Sequence, residues 1–279
     1  MTAPRGHENE SSVIASRWKV LMRLVAADLR RVRRGRYLWT LLIVAGIVCV
    51  LIAIDEERTV GALFTNGHLW SSRKVLNEET GASIAGLGAV QIFVAMLVIG
   101  NVTSEIRSAA LVVTLLAVPR RGLVALGKIL SSIVIGTILF MYAAVAYCVA
   151  SMFVALSYGT AAGQALLLQS GPVLWRVAVV VVVVSVVICG LALLCADEVI
   201  AVICALLYLE VLPNLTNSLF PNIARWLPWG ASVSLIQPVF TVDLSATPLG
   251  LLTAVLVLSS FALACALGGL ARLCWLDPK

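Results

Sequence analysis

Three groups of residues in this chain have the types and spacing to do chemistry. Gly122-Leu-Val-Ala-Leu-Gly127-Lys128 fills the first seven places of a phosphate-binding loop. Leu193-Leu-Cys-Ala-Asp197-Glu198 has the form of an apolar strand ending in paired acids. Together they would hold a nucleotide phosphate and its magnesium. That chemistry fails at Ile129, which stands where Ser or Thr must offer a hydroxyl to the metal. The Leu-Val-Ala-Leu interior also favours helix over a cradle of backbone amides. The third group is a single carboxylate, Glu210, inside an otherwise apolar run. An ionisable group at that depth in a membrane is costly and is a functional candidate by default. His7 and His68 are the two histidines, and no HExxH, GxSxG or paired-cysteine spacing accompanies them. The chain therefore reads as a non-enzyme, with no catalytic residue, no metal site and no cofactor of its own.

The elements that position these residues follow from composition. Of 279 residues, 61% are hydrophobic and 12% charged. Soluble domains run at roughly 45–50% apolar and about 25% charged. With a mean hydropathy of +1.04, the chain is no soluble enzyme, disordered segment or nucleic-acid-binding domain. A spanning helix needs about 20 apolar residues. Six runs qualify or nearly qualify: 37–54, 84–102, 129–156, 177–195, 199–212 and 249–271. The predicted fold is an all-α membrane protein, with a tail and amphipathic helix over 1–36 and a single six-span domain over 37–279.

Basic residues orient the spans. With the N-terminus inside, fifteen of the twenty Lys and Arg residues lie on the cytoplasmic side, which also receives the C-terminus. The net charge of +6 is thus a topology signal, and no nucleic-acid partner is expected. Trp39, Trp175, Trp226, Trp229 and Trp275 fall at span ends, where amphipathic rings settle. None of the seven cysteines lies in an outer loop, so no disulfide framework is expected.

Ile14 to Arg34 predicts an amphipathic helix lying in the headgroup layer. Ile14, Trp18, Leu21, Val25, Leu29 and Val32 form one stripe, and Lys19, Arg23, Arg30 and Arg34 lie opposite. Asp28 sits at the edge of the stripe and blemishes it. The fifth run, 199–212, spans only about 21 Å at 1.5 Å per residue. It is expected to stop at Pro213, with residues 213–238 forming an outer re-entrant hairpin broken by Pro221, Pro228 and Gly230. Glu210 then lies beyond the midplane, facing a water-filled path or pairing with Arg225. Gln91 and Asn101 in the second span are further path candidates, or else interhelical hydrogen bonds.

The cytoplasmic turn 103–121 carries the most information. Glu105 and Arg107 mark the exit of the second span. A short amphipathic segment with Leu115 and Leu116 follows, Pro119 stops it, and Arg120, Arg121, Gly127 and Lys128 precede or open the third span. The basic residues there suit anionic headgroups. This pattern resembles the permease subunits of ABC-2-type exporters, with an acid at the inner end of the second span, paired leucines, Pro with basic residues, then Gly-Lys. Where that family has a small Gly-Thr-like pair, this chain has Ser108, Ala109 and Ala110, which are also small. The resemblance covers the whole chain, though outside the turn it lies in the order of elements.

The resemblance implies an elbow helix, six spans and a cytoplasmic coupling helix in the bacterial cytoplasmic membrane. It also implies a partner ABC ATPase subunit, which carries the ATP and magnesium, and a second permease copy or paralogue. Glu105, Arg107, Leu115, Leu116, Pro119, Arg120 and Arg121 would then serve ATPase coupling. The alternative is an ion- or proton-coupled carrier using Glu210. Carriers of that kind show internal repeats and two matched broken helices, whereas this chain has no repeat and one broken span. A sensory or assembly factor is the third class, and no soluble sensor module is visible.

Overall fold

The computed structural model describes residues 7–65, 72–108, 114, 121–157, 162–236 and 249–275. Among the described residues the regular structure is helical, and no strand occurs. Helix α1 (His7–Arg34) ends at Gly35, whose amide donates back to the carbonyls of Arg31 and Val32. Helix α2 (Arg36–Thr65) leaves at once, so that the segments Trp18–Arg34 and Arg36–Ile52 meet at 71°. Next come α3 (Ser72–Arg107), α4 (Arg121–Ser157) and α5 (Ala162–Cys195). Helix α6 (Glu198–Leu206) runs through a π turn, Leu207–Val211, into α7 (Leu212–Leu219). Two short helices, α8 (Pro221–Ala224) and α9 (Pro228–Ile236), precede α10 (Leu251–Trp275).

Five segments are long and apolar enough to cross a membrane: Val90–Arg107, Arg121–Ala150, Trp175–Cys195, Glu198–Leu219 and Leu251–Trp275. The bent pair of α1 and α2 adds a sixth if it is taken as one. The pattern is that of a multi-pass helical membrane protein. Trp39, Trp175, Trp226 and Trp275 are all exposed, as expected of rings at a membrane interface.

Helix α5 is the hub, packed against α10, α4 and α3. Its buried residues Val177, Val180, Val181, Val184, Ile188, Ala192 and Leu193 recur at helical spacing. In lipid no hydrophobic force drives helices together, so close packing through small residues must do so. A Cβ on Gly190 would stand 2.5 Å from the carbonyl oxygen of Cys265, and one on Gly136 would overlap the Ser185 hydroxyl. These glycines let α5 meet α10 backbone to backbone and let α4 meet the Ser185 side chain of α5.

The Asp197-Glu198 pair has a local role. Ala196 takes the left-handed conformation (φ 56°), and Asp197 then caps α6, accepting from the amides of Val199 at 2.9 Å and Ile200 at 3.2 Å. Glu198 places a negative charge at the positive end of that helix. The would-be phosphate loop, Gly122–Lys128, lies in the first turns of α4 and is helical throughout.

The fifth apolar run differs from its sequence expectation. The fifth helix does not stop at Leu212: Glu198–Leu219 is one apolar helical run of 22 residues, about 33 Å long at 1.5 Å per residue. A proline in a regular helix collides with the carbonyl four residues back. Here the π turn immediately before Pro213 widens the backbone, and Pro213 falls within the first two positions of α7. The hairpin arm predicted to begin at 213 is thus the end of this helix. The remainder, α8 and α9, is tied inward by Arg176, whose Nη1 donates to the Leu235 carbonyl at 3.3 Å. Ser234 Oγ also accepts from the Leu249 amide at 3.2 Å. Residues 237 and 238 lie outside the described residues.

Gly190→Ala is expected to lower the apparent melting temperature of the detergent-purified protein. The added methyl presses on α10 backbone, and overpacking of this kind costs roughly 1–3 kcal/mol. Gly122→Ala, which meets nothing within 4 Å, is expected not to lower it. Equal melting temperatures for Gly190→Ala and wild type would show that α5 and α10 are not in close contact.

Candidate functional site

The described charges converge where α1, α3 and α4 meet. Lys128, in the second turn of α4, is 4% exposed at its side chain. Its Nζ lies 2.9 Å from each carboxylate oxygen of Asp28 on α1 and 2.5 Å from Glu105 Oε2 on α3. The other oxygen of Glu105 accepts from Arg31 Nη1 at 2.7 Å. Ser131, one turn beyond Lys128, donates to Asp28 Oδ2 at 2.9 Å. Glu105 is as buried as Lys128, Asp28 nearly so, and Arg31 is half exposed.

Two cations and two carboxylates make the cluster neutral, and the three Lys128 protons all have acceptors. That completeness decides the energetics. Burying a charge costs several kcal/mol, and a pair recovers it only where the geometry and remaining hydrogen bonds are satisfied. The cluster therefore adds little net stability while whole, yet removing one member leaves a buried charge without its counterpart.

Local sequence explains the placement. Asp28 and Arg31 are one turn apart on α1, as Lys128 and Ser131 are on α4, so each pair shares a helix face. Gly127 is buried and lies against Leu21 and Leu24 of α1, where a Cβ would stand 3.4 Å from Leu24 Cβ. Val25 is buried and Leu29 and Val32 pack on the core, while Lys19, Arg23, Arg30 and Arg34 face outward. Of the amphipathic stripe read from sequence, the part from Val25 to Val32 packs on the bundle, whereas Trp18 is exposed.

The other charged candidates make structural ties. Arg121 Nη1 donates to the carbonyls of Cys274 at 2.6 Å and Leu273 at 3.4 Å, closing the end of α10 onto the start of α4. Arg107 reaches Glu198 across 3.5 Å on an exposed surface, linking the end of α3 to the start of α6. Leu115, Leu116, Pro119 and Arg120 lie outside the described residues.

Glu210 is exposed and sits inside the π turn, a distortion that often marks functional positions. With the helix extended to Leu219, Glu210 lies near the middle of the run rather than near its outer end. Among the described residues Glu210 and Arg225 are not paired with each other, and Asn214 Nδ2 donates to the Glu210 backbone carbonyl at 2.8 Å. The neighbouring Tyr208 ring stacks on Phe261 of α10 at 5.8 Å. Gln91 and Asn101 are both buried on α3.

The sequence reading assigned Lys128 to anionic headgroups. The structure corrects this: Lys128 is sealed inside protein by Asp28 and Glu105. Asp28, Arg31 and Ser131 were not singled out as site residues. The available signal was Asp28 itself, an acid within an apolar stripe, but its partner lies 100 residues away. Comparison with protein-family models and with curated proteins finds no match to this chain.

Lys128→Met is expected to destabilise the protein by about 3–5 kcal/mol, because Asp28 then loses its cation and Glu105 keeps only the half-exposed Arg31. The double variant Asp28→Asn with Lys128→Met should regain most of that loss. Denaturant unfolding of the two variants and wild type tests it, and additive losses would remove the cluster as a unit.

Proposed function

We propose that this chain is the permease subunit of an ABC-2-type exporter in a bacterial cytoplasmic membrane, with both termini cytoplasmic. Two permease copies or paralogues form the translocation path, and each engages a separate ATPase subunit that holds ATP and magnesium. Helix α1 is the elbow, residues 103–121 carry the coupling helix, and α8 with α9 caps the outer side.

The observation that carries this reading is where the buried cluster lies relative to the coupling segment. Glu105 lies at the start of that segment and Lys128 closely follows its end. Both ends of the segment are therefore anchored to one polar node, and that node also holds α1. A push on the segment from a partner protein is delivered to α3, α4 and α1 together. Closure of a nucleotide-bound ATPase dimer supplies such a push. Because a satisfied charge cluster resists partial opening, the three helices move as one body rather than sliding separately. Arg107 with Glu198, and Arg121 with the end of α10, extend the same connection to α6 and α10.

The large bare faces fit a paired assembly. Only 22% of Glu198–Leu219 and 22% of Leu251–Trp275 is buried within one copy, against 61% of Trp175–Cys195. Lipid or a second permease must cover them.

The partner test is co-purification. The tagged full chain, extracted from its native membrane in a mild detergent, is expected to bring down a Walker-type ATPase, and Leu115→Asp is expected to abolish that association while leaving α1 to α10 folded. A folded wild-type chain that retains no ATPase in several mild detergents would overturn the exporter reading.

The exposed carboxylate in the π turn favours a second reading, an ion- or proton-coupled carrier. In that case Glu210→Gln should abolish the pH dependence of transport. Export whose pH dependence is unchanged by Glu210→Gln leaves Glu210 a structural residue.

A further inference from the structure

The 71° bend between α1 and α2 encloses a cavity of about 320 Å³ against the ends of α3 and α6. Val32, Leu38 and Leu97 form its apolar wall, and Arg31, Asn101 and Glu198 bring polar groups of three kinds. Arg31 is half exposed and spends Nη1 on Glu105, which leaves the rest of its guanidinium fork available. Asn101 is more than nine-tenths buried, yet its amide nitrogen meets no protein acceptor. That nitrogen has no accessible surface, so the polar groups a ligand in the cavity can reach are those of Arg31 and Glu198. Glu198 adds a carboxylate that is only loosely held by Arg107 at 3.5 Å.

The cavity thus offers a cation, a separate carboxylate and an apolar wall. A simple anion would leave Glu198 opposed, and a simple cation would leave Arg31 opposed. A zwitterion carrying a phosphate and a primary ammonium satisfies both. The position decides between a lipid and a soluble compound. The cavity lies where a candidate span of α3 ends and that of α6 begins. Directly beyond it α2 presents exposed Trp39, Ile43 and Ile47 along one side, an apolar track for acyl chains. Its volume is at the small end of ligand sites, roughly 300–1,000 Å³, which suits a headgroup with its glycerol.

We propose that this cavity binds the phosphoethanolamine headgroup of a membrane lipid, with Arg31 on the phosphate and Glu198 on the ammonium. The bound lipid fills the angle between α1 and α2 and ties it to α6. This site is independent of the ATPase partnership, since it needs only the membrane and the bend.

The test uses the full chain in mild detergent, titrated with phosphatidylethanolamine, phosphatidylcholine, phosphatidylglycerol and free O-phosphoethanolamine, with bound molecules counted by native mass spectrometry. Phosphatidylethanolamine is expected to occupy one site at about tenfold lower concentration than phosphatidylcholine, whose methylated nitrogen cannot donate to Glu198. Glu198→Gln, an exposed change that leaves the bundle intact, should bring the two lipids to near parity. Val32→Trp, which fills the cavity, should remove the tight site and spare weakly held lipid. Equal binding of the two lipids to wild type, or a preference that survives Glu198→Gln, would overturn the proposal. Preference for phosphatidylglycerol would show an anion site on Arg31 alone, and equal potency of free O-phosphoethanolamine would show a soluble ligand; either outcome rejects the lipid headgroup. If Val32→Trp is not monodisperse, the Glu198→Gln comparison decides.

Discussion

A lysine ammonium inside an apolar helix bundle is tolerable only while carboxylates surround it. Lys128 meets that condition with Asp28 and Glu105, which come from two other helices. The condition is severe because neither carboxylate can leave without stranding a charge in low dielectric. It therefore fixes more than one contact. It sets the depth at which α1 lies, the level at which α3 ends, and the rotation of α4 about its axis. Arg31 brings the sum of charges to zero and is the member that reaches the surface.

Around that node the bundle relies on proximity rather than on burial from water. Valines and alanines line the contacts of α5, and glycines admit α10 and α4 where a side chain would hold them off. The result is uneven. The spans Val90–Arg107 and Trp175–Cys195 are mostly enclosed, whereas Glu198–Leu219 and Leu251–Trp275 are mostly bare. A chain with one well-packed half and one open half is suited to meeting lipid or another chain on the open side. The π turn belongs to the open half, where a widened backbone and an exposed carboxylate can be accommodated without disturbing the enclosed helices.

These two features bear on how movement would pass through the molecule. A rigid node gathers α1, α3 and α4 at one membrane face, and weaker ties extend it to α6 and α10. The link from Arg107 to Glu198 is exposed, so it holds loosely, whereas the buried cluster holds firmly. Force applied between residues 105 and 128 therefore moves the inner three helices together and lets α6 adjust. The cavity at the α1–α2 bend lies on this same boundary, between the firm and the loose connections.

Composition and the length of the apolar runs, without any coordinates, determined that the chain is helical and multi-pass, because the cost of apolar surface in water and of unpaired backbone in lipid leaves no other solution. The stripe of α1 and the spans of α3, α4, α5 and α10 followed from periodicity and run length for the same reason. Three things were decided by tertiary structure alone. Asp28 looked like a flaw in the stripe, since a residue's partner 100 positions away leaves no local trace. Lys128 looked like a headgroup contact, since basic residues near a span end carry that prior and burial is not written in the residue itself. Pro213 looked like a helix end, since proline breaks a regular helix; the π turn that absorbs it is stabilised by packing such as Tyr208 on Phe261, which only the folded chain brings together.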